Sequence, residues 1–126
     1  MASKILLIDD DTLVLHSLEK LFQMEGYNVI AVENGKAALE KIKDENFDLV
    51  VADIRMPEFN GIETVKKIRE AQKNKALPEL PVIFITGYTD SIAAEEASRI
   101  KTSNLLYKPF DKESFLQCVS SALRSK

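Results

Sequence analysis

Residues 50–57 read Val50-Val51-Ala52-Asp53-Ile54-Arg55-Met56-Pro57. The aliphatic run 49–52 is typical of a strand buried on both faces of a parallel sheet. The run ends in a carboxylate, Asp53, at the position where open α/β sheets bind their ligands. Pro57 interrupts regular pairing, and Asn60-Gly61 predicts a turn before a helical pattern. Taken alone, such a carboxylate is more often a turn or helix-cap residue, so its significance depends on the other strand ends.

The rest of the chain alternates between strand and helix patterns. Short apolar runs predict four more strands, at 5–8, 27–32, 81–86 and 105–107. Apolar residues at helical spacing predict helices within 12–25, 36–44, 62–69, 91–100 and 111–123, and the segment 72–80 is expected to be the longest loop. Gly26 is the expected end of the first helix, whose predicted inner side runs from Val14 to Glu25. Asp11, Asp90 and Asp111 are the expected N-caps of the first, fourth and fifth helices. Five strands alternating with five helices predict an α/β fold, a parallel sheet with right-handed crossovers and helices on both faces, in a single domain over residues 1–126.

The composition excludes several classes of protein. The 126 residues are 45% hydrophobic and 29% charged, as in an ordinary globular domain. A net charge of −3 gives no electrostatic reason to expect nucleic-acid binding. A single cysteine, Cys118, excludes an internal disulfide and fits a reducing cytoplasm. The N-terminal segment has a run of only four apolar residues, 5–8, before three aspartates, which is neither a signal peptide nor a membrane span.

Polar residues follow four of the five predicted strands. Asp9 and Asp10 follow the first strand, Asp53 the third, Thr86 the fourth and Lys108 the fifth. Because parallel strands end at the same edge of a sheet, we expect these side chains to converge. Three converging carboxylates repel one another unless a cation lies among them, and a small site of hard oxygen ligands favours Mg²⁺.

The same residues suit a phosphoryl group. Mg²⁺ and the Lys108 ammonium together offset the three carboxylates and a phosphoryl group of about −2 charge. A lysine can neutralise a phosphoryl oxygen, and the Thr86 hydroxyl can donate to another. Asp53 is the candidate nucleophile, forming an aspartyl phosphate. Each residue alone has an ordinary structural interpretation, as does His16 on the first helix, but packing does not explain all five at strand ends.

Four strings carry a resemblance to a known family: ILLIDDD at 5–11, VVADIRMPEFNGIE at 50–63, VIFITGY at 82–88 and YKPF at 107–110. They resemble the receiver domain of two-component response regulators, including the chemotaxis regulators, over essentially the whole chain. The resemblance implies a flavodoxin-like sheet in the order 2-1-3-4-5. It further implies that Asp53 is the phosphoacceptor, that Asp9, Asp10, Asp53 and the Arg55 carbonyl bind Mg²⁺, and that Thr86 and Lys108 complete the site.

The resemblance also predicts partners. It implies a phosphoryl donor, either a histidine kinase or a histidine phosphotransfer protein, and an output domain or protein switched by the phosphate. It implies a cytoplasmic signalling protein that catalyses only its own phosphorylation and dephosphorylation, with no direct contact to nucleic acid or membrane. Dimerisation on phosphorylation is left open.

Four positions depart from the family pattern or are expected to adjust the lifetime of the phosphate. Receivers commonly have an aromatic residue three positions before the lysine, whereas this chain has Leu105 there and a tyrosine at Tyr107. A leucine has no ring to rotate inward, so switching would depend more on Thr86. Arg55 and Tyr88 lie two residues beyond Asp53 and Thr86, where bulk is expected to prolong the life of the phosphate.

Two other functions compete with this one. An aspartate-nucleophile phosphatase of the haloacid-dehalogenase type would have DxDxT after the first strand, but residue 13 is Leu13, and no second acidic pair follows the fourth strand. A flavodoxin would need a phosphate-binding Ser/Thr/Gly loop where Asp9-Asp10-Asp11 stand. Three aspartates repel a phosphate unless a metal intervenes, so we reject this alternative.

Overall fold

Five parallel strands form one sheet with helices on both faces. The computed structural model describes residues 2–56, 60–87 and 91–124. In chain order the elements are β1 (Lys4–Ile8), α1 (Thr12–Met24), β2 (Asn28–Val32), α2 (Gly35–Asp44), β3 (Leu49–Asp53), α3 (Gly61–Asn74), β4 (Val82–Gly87), α4 (Ser91–Ser98), β5 (Ser103–Lys108) and α5 (Lys112–Arg124). The strand order is β2-β1-β3-β4-β5, and every neighbouring pair is parallel. The predicted fold class and strand order are confirmed.

The sheet separates two hydrophobic layers because successive side chains of a strand point to opposite faces. Leu6 of β1 and Val50 of β3 pack in the layer covered by α2, α3 and α4. Ile5 and Leu49 pack in the layer covered by α1 and α5. The central strand β3 is buried at all five positions, which explains its unbroken apolar sequence.

Side-chain caps set the starts of three helices at the edge where the strands end. The Asp11 carboxylate accepts hydrogen bonds from the backbone N–H groups at the start of α1, and the Asp111 carboxylate accepts one from Ser114 N–H before the second turn of α5. Asn60 and Glu63 form a reciprocal capping box at the start of α3. Gly26, with φ of +85°, follows the C-cap of α1, as predicted.

The structure corrects several predicted boundaries. The segment 72–80 is not entirely loop, because α3 continues to Asn74 and buries the polar Gln72. α4 ends at Ser98 rather than at residue 100. The carbonyl of Ile100, beyond the helix, accepts a hydrogen bond from the hydroxyl of Ser103 at the start of β5. On α1, Leu15 is buried whereas Glu25 is exposed and caps the helix.

Smaller differences concern strand starts and three residues of the prediction. β2 and β4 each begin one residue later than predicted, at Asn28 and Val82. Pro57, Tyr88 and Asp90 lie outside the described residues, so their predicted roles are not addressed by the structure.

Candidate functional site

The strand ends bring the predicted site residues to one edge of the sheet. Asp9 directly follows β1, Asp53 is the last residue of β3, and Thr86 and Lys108 lie at the ends of β4 and β5. The register pairs Gly87 with Lys108, which places the lysine beside the residue that follows Thr86. Asp9, Asp53 and Thr86 are almost completely buried, with 1%, 6% and 1% of their surfaces exposed.

Asp9, Asp10 and Asp53 form an acidic cluster. One carboxylate oxygen from each lies within 4.8 Å of the other two. Asp9 Oδ1 accepts a hydrogen bond of 2.9 Å from Asp11 N–H, whereas Asp9 Oδ2 is buried and has no hydrogen-bond partner among the described residues. The pKa of Asp9 is raised to about 6, mainly by burial and in part by the neighbouring Asp53 carboxylate, against the opposing effect of the Asp11 N–H.

This cluster fits a divalent cation. The oxygens of an octahedral Mg²⁺ shell are about 3–4 Å apart, so three carboxylates within 4.8 Å need only a small adjustment to share an ion. A cation would also give Asp9 Oδ2 the partner that the described residues do not supply, and it would offset both the burial and the Asp53 repulsion that raise the Asp9 pKa. The donor set therefore suits a divalent cation such as Mg²⁺, which Asp9, Asp10 and Asp53 would hold.

Lys108 and Thr86 lie on the other side of Asp53. Lys108 Nζ is 3.4 Å from Asp53 Oδ2, and about a third of the lysine side chain is exposed. The Thr86 hydroxyl oxygen is buried without a hydrogen-bond partner among the described residues. A buried hydroxyl is usually hydrogen-bonded, so this group is a donor available to a bound oxyanion.

Arg55 lies next to the cluster. Its backbone N–H donates to Asp53 Oδ1 at 3.4 Å, and the residue lines a cavity of about 490 Å³ together with Asp10, Met56 and Glu96. Of the three acidic residues, Asp10 lines this cavity, whereas Asp9 and Asp53 are buried. The prediction that the Arg55 carbonyl binds the metal stays a prediction.

Gly61, which the sequence predicts only as part of a turn, positions the start of α3 against the end of β3. Its N–H donates to the Ile54 carbonyl at 2.8 Å, which joins the start of α3 to the end of β3. A Cβ atom at this position would lie 2.3 Å from the Asp53 carbonyl oxygen and 3.0 Å from the Asp53 carbonyl carbon. Glycine is therefore required for α3 to begin directly against the peptide group of Asp53.

The positions that depart from the family pattern lie on β5. Leu105 pairs with Phe84 in the β4–β5 register and packs against the layer containing α3 and α4. Tyr107 pairs with Thr86, and 40% of its surface is exposed. An aliphatic side chain thus occupies the half-buried position beside Phe84.

Comparison with known proteins identifies the family. The family model described as response regulator receiver domain matches residues 5–120. The chain belongs to this family. It is 39% identical over 111 residues to the transcriptional regulatory protein CrdR of Helicobacter pylori, covering 88% of this chain and 50% of CrdR. It is also 39% identical over 119 residues to the transcriptional regulatory protein ZraR of Klebsiella oxytoca, covering 94% of this chain and 26% of ZraR.

Solved receiver structures agree with this assignment. The Vibrio cholerae chemotaxis protein CheY4 superposes with a TM-score of 0.86 at 27% identity, covering 97% of this chain and 99% of CheY4. The receiver chain thus spans half or less of the two regulators and nearly all of CheY4. Among the described residues, no helix is long and apolar enough to cross a membrane.

Proposed function

We propose that this receiver accepts a phosphoryl group on Asp53 from a phosphohistidine donor, with Mg²⁺ bound by Asp9, Asp10 and Asp53, and that the phosphate switches an output surface. The observation that carries the proposal is the convergence of the three carboxylates with Lys108 Nζ, 3.4 Å from Asp53 Oδ2, at one edge of the sheet. Family membership supports the same chemistry.

The transfer step follows from the positions of the side chains. An Asp53 carboxylate oxygen attacks phosphorus, the P–N bond to the donor imidazole breaks, and its electron pair stays on the imidazole nitrogen, which takes a proton from solvent. Lys108 stabilises negative charge on the phosphoryl oxygens, and Thr86 Oγ donates to another of them. Bound Mg²⁺ supplies charge neutralisation at the phosphoryl oxygens. Because phosphoryl transfer depends mainly on positioning and electrostatics, these residues together with a bound Mg²⁺ would suffice for the step.

The switch would depend on Thr86. Its unpartnered buried hydroxyl gains a hydrogen bond when a phosphoryl oxygen arrives, which favours the conformation that brings the two together. Leu105 cannot contribute a rotating ring. We infer that the output surface responds mainly to the movement of Thr86 and the residues after it.

Intact mass measurement after incubation with acetyl phosphate tests the chemistry. We expect one phosphoryl adduct on the wild-type chain with Mg²⁺ and none after chelation or in Asp53→Asn. Asp11→Asn is the matched control, because it removes a negative charge at the same edge while keeping an oxygen that can cap α1. It should be phosphorylated like the wild type.

Two results would contradict the proposal. The absence of an adduct on the folded wild-type chain would mean that the acidic cluster does not accept phosphate. An adduct that persists in Asp53→Asn would place the nucleophile on another residue and would favour the phosphatase alternative.

We further propose that the bulk of Arg55 and Tyr88 slows hydrolysis of the aspartyl phosphate. Arg55 N–H already contacts the Asp53 carboxylate, so its side chain begins close to the group that would carry the phosphate. Arg55→Ala and Tyr88→Ala should each shorten the phosphate half-life several-fold, measured by the decay of the phosphorylated mass. Unchanged decay in both variants would show that neither side chain screens water.

The partners follow from the same proposal. A cytoplasmic histidine kinase or histidine phosphotransfer protein would supply the phosphoryl group, and a separate domain or protein would respond to it. The matched regulators CrdR and ZraR are named transcriptional regulatory proteins, so transcriptional output is one candidate. Dimerisation on phosphorylation is tested by comparing sedimentation of the phosphorylated and unphosphorylated chain.

A further inference from the structure

The C-terminal end of α4 is fixed to the sheet by several hydrogen bonds. The Ser103 hydroxyl, at the start of β5, lies 3.2 Å from the carbonyl oxygen of Ala97 and donates to that of Ile100 at 2.6 Å. The Thr102 carbonyl accepts from Val82 N–H at 3.0 Å, which joins the turn after α4 to the start of β4. This end of the helix is therefore connected to two neighbouring strands.

Arg69 of α3 reinforces the same connection. Its Nη2 donates to the carbonyl of Lys101, in the turn after α4, at 2.7 Å, and to the carbonyl of Leu80, before β4, at 2.8 Å. Its Nη1 donates to the Glu79 carboxylate at 3.1 Å. A guanidinium is planar and rigid, so it holds its acceptors at defined positions. Arg69 thus fixes the turn between α4 and β5 relative to α3.

The turn that Arg69 contacts contains a strained residue. Thr102 has a φ of +58°, in the left-handed region that a β-branched residue rarely adopts. Such a conformation persists only where the surrounding structure holds it. Thr102 directly follows Lys101, whose carbonyl accepts from Arg69. Tertiary contacts therefore determine the shape of this turn.

The first turn of α4 has different surroundings. Ile92 is 79% exposed, and together with Ala93 and Glu96 it lines the cavity of about 490 Å³ beside Arg55 and Met56. An exposed isoleucine at the rim of a partly apolar cavity can bury more of its surface by a small movement of the helix. Open volume therefore lies next to one end of α4, whereas hydrogen bonds hold the other end.

Packing against the sheet holds α4 less firmly than it holds α3. The buried residues among 92–98 are Ala94 and Ala97, whereas α3 buries larger side chains such as Ile62, Val65 and Ile68. The free energy gained by burial is proportional to the apolar area removed from water, and an alanine removes little. The hydrogen bonds at the C-terminal end consequently contribute a larger share of the attachment of α4.

We propose that α4 is a lid that is anchored at its C-terminal end through Arg69 and whose first turn closes onto the cavity beside Asp10. Closure is a small rotation about the turn 99–102, and it moves the Ile92 side chain from water toward Met56. Because Asp10 lines the same cavity, closure restricts access to this carboxylate from that side. The lid is a property of the unphosphorylated chain. Only its response to a movement of Thr86, in the strand before α4, rests on the proposed function.

Methyl relaxation dispersion on the full unphosphorylated chain tests the lid. The chain is labelled with ¹³C at the methyl groups of isoleucine and methionine. We expect exchange on the microsecond-to-millisecond timescale at Ile92 and Met56, beside the cavity, with an amplitude at least about threefold that at Ile100, beside the anchor. Ile92→Ala removes most of the apolar surface that closure buries, so the closed population, measured at Met56, should fall about fivefold.

Two arginine variants test the anchor. Arg69→Met keeps an unbranched side chain but removes the donors to Glu79, Leu80 and Lys101, so exchange should extend to Ile100. Arg99→Met is the matched control, because Arg99 is exposed and its side chain pairs with Glu95 of α4 itself. It should leave Ile100 as in the wild type. The spectrum of each variant shows whether it is folded, and the comparison of Ile92 with Ile100 in the wild type needs no variant.

Three results would overturn the proposal. Equal exchange at Ile92 and Ile100 in the wild type would show that α4 has no fixed end. The absence of exchange at both Ile92 and Met56 would show that the helix does not close. An unchanged Ile100 in folded Arg69→Met would show that Arg69 is not the anchor. None of these results depends on whether Asp53 accepts a phosphoryl group, which the mass measurement reports separately.

Discussion

Replacing Gly61 with alanine tests how the fold positions Asp53. The added Cβ would lie 2.3 Å from the Asp53 carbonyl oxygen and 3.1 Å from Ile54 Cα, both of them backbone atoms. Contacts of real Cβ atoms do not fall below 3.0 Å, so the start of α3 and the end of β3 must separate by at least about 0.7 Å. No flexible side chain can absorb this movement.

The separation affects both stability and chemistry. Overpacking of this kind costs about 1–3 kcal/mol of unfolding free energy, and alanine's helix propensity recovers less than about 1 kcal/mol at a first helical residue. We therefore expect a net loss of about 1–2 kcal/mol. A displacement approaching 1 Å at a reacting group can reduce a rate by about 100-fold, so phosphorylation of Asp53 should slow by about 10- to 100-fold.

Gly26→Ala is the matched control. Gly26 has φ of +85°, and no atom lies within 4 Å of the place that a Cβ would take, so alanine there is strained by its backbone alone, at about 1 kcal/mol. Urea denaturation should show comparable losses of stability in the two variants, whereas the acetyl phosphate assay should show a slower rate only in Gly61→Ala. Wild-type stability together with a wild-type rate in Gly61→Ala would refute the close approach of α3 to Asp53.

Three further predictions concern stability. The folded-state pKa of Asp9, about 6, lies above its ordinary 3.8, so the folded chain binds more protons than the unfolded chain between these values. The metal-free protein should therefore lose stability as pH rises from about 4 to 6. Denaturant unfolding of Asp9→Asn without Mg²⁺ should lack this pH-dependent loss, and a pH profile identical to that of the wild type would contradict the prediction. Phe115 is fully buried, and its ring centroid lies 5.3 Å from that of Phe22 and 5.1 Å from that of Phe110. Phe115→Ala should therefore lower the free energy of unfolding in urea by about 3–5 kcal/mol, and a loss below about 1 kcal/mol would be inconsistent with this packing. Asn60→Ala removes the cap of α3 and should cost about 1 kcal/mol, while Asn60→Asp, which keeps a capping oxygen, should cost much less.

The fold and the acidic cluster were predictable because both depend on local patterns and topology. An unbroken apolar run such as 49–52 fits a strand covered on both faces, and parallel strands necessarily end at the same edge. Once five such runs alternate with helical patterns, the residues after them must converge. The placement of Asp9, Asp53 and Lys108 therefore followed from the order of the elements without any knowledge of distances.

Features that depend on tertiary packing were not predictable in the same way. Gln72 is polar, and its hydrophilic surroundings predicted a loop, but the residue is buried in the last turn of α3. Leu15 is buried while Glu25 caps α1, although the helical period placed Glu25 on the inner side. The close contact of Gly61 with Asp53 joins residues on different elements, so no local pattern reveals it.

One physical criterion connects both edges of the sheet. The described residues include four buried side-chain atoms without a hydrogen-bond partner: Asp9 Oδ2, Thr86 Oγ1, Arg69 Nε and Gln72 Oε1. Each such atom costs about 1–3 kcal/mol relative to a paired one, and that free energy is regained when a ligand supplies the partner. Two of the atoms, Asp9 Oδ2 and Thr86 Oγ1, lie at the edge where the proposed cation and phosphoryl group would complement them, and the other two belong to Arg69 and Gln72 of α3.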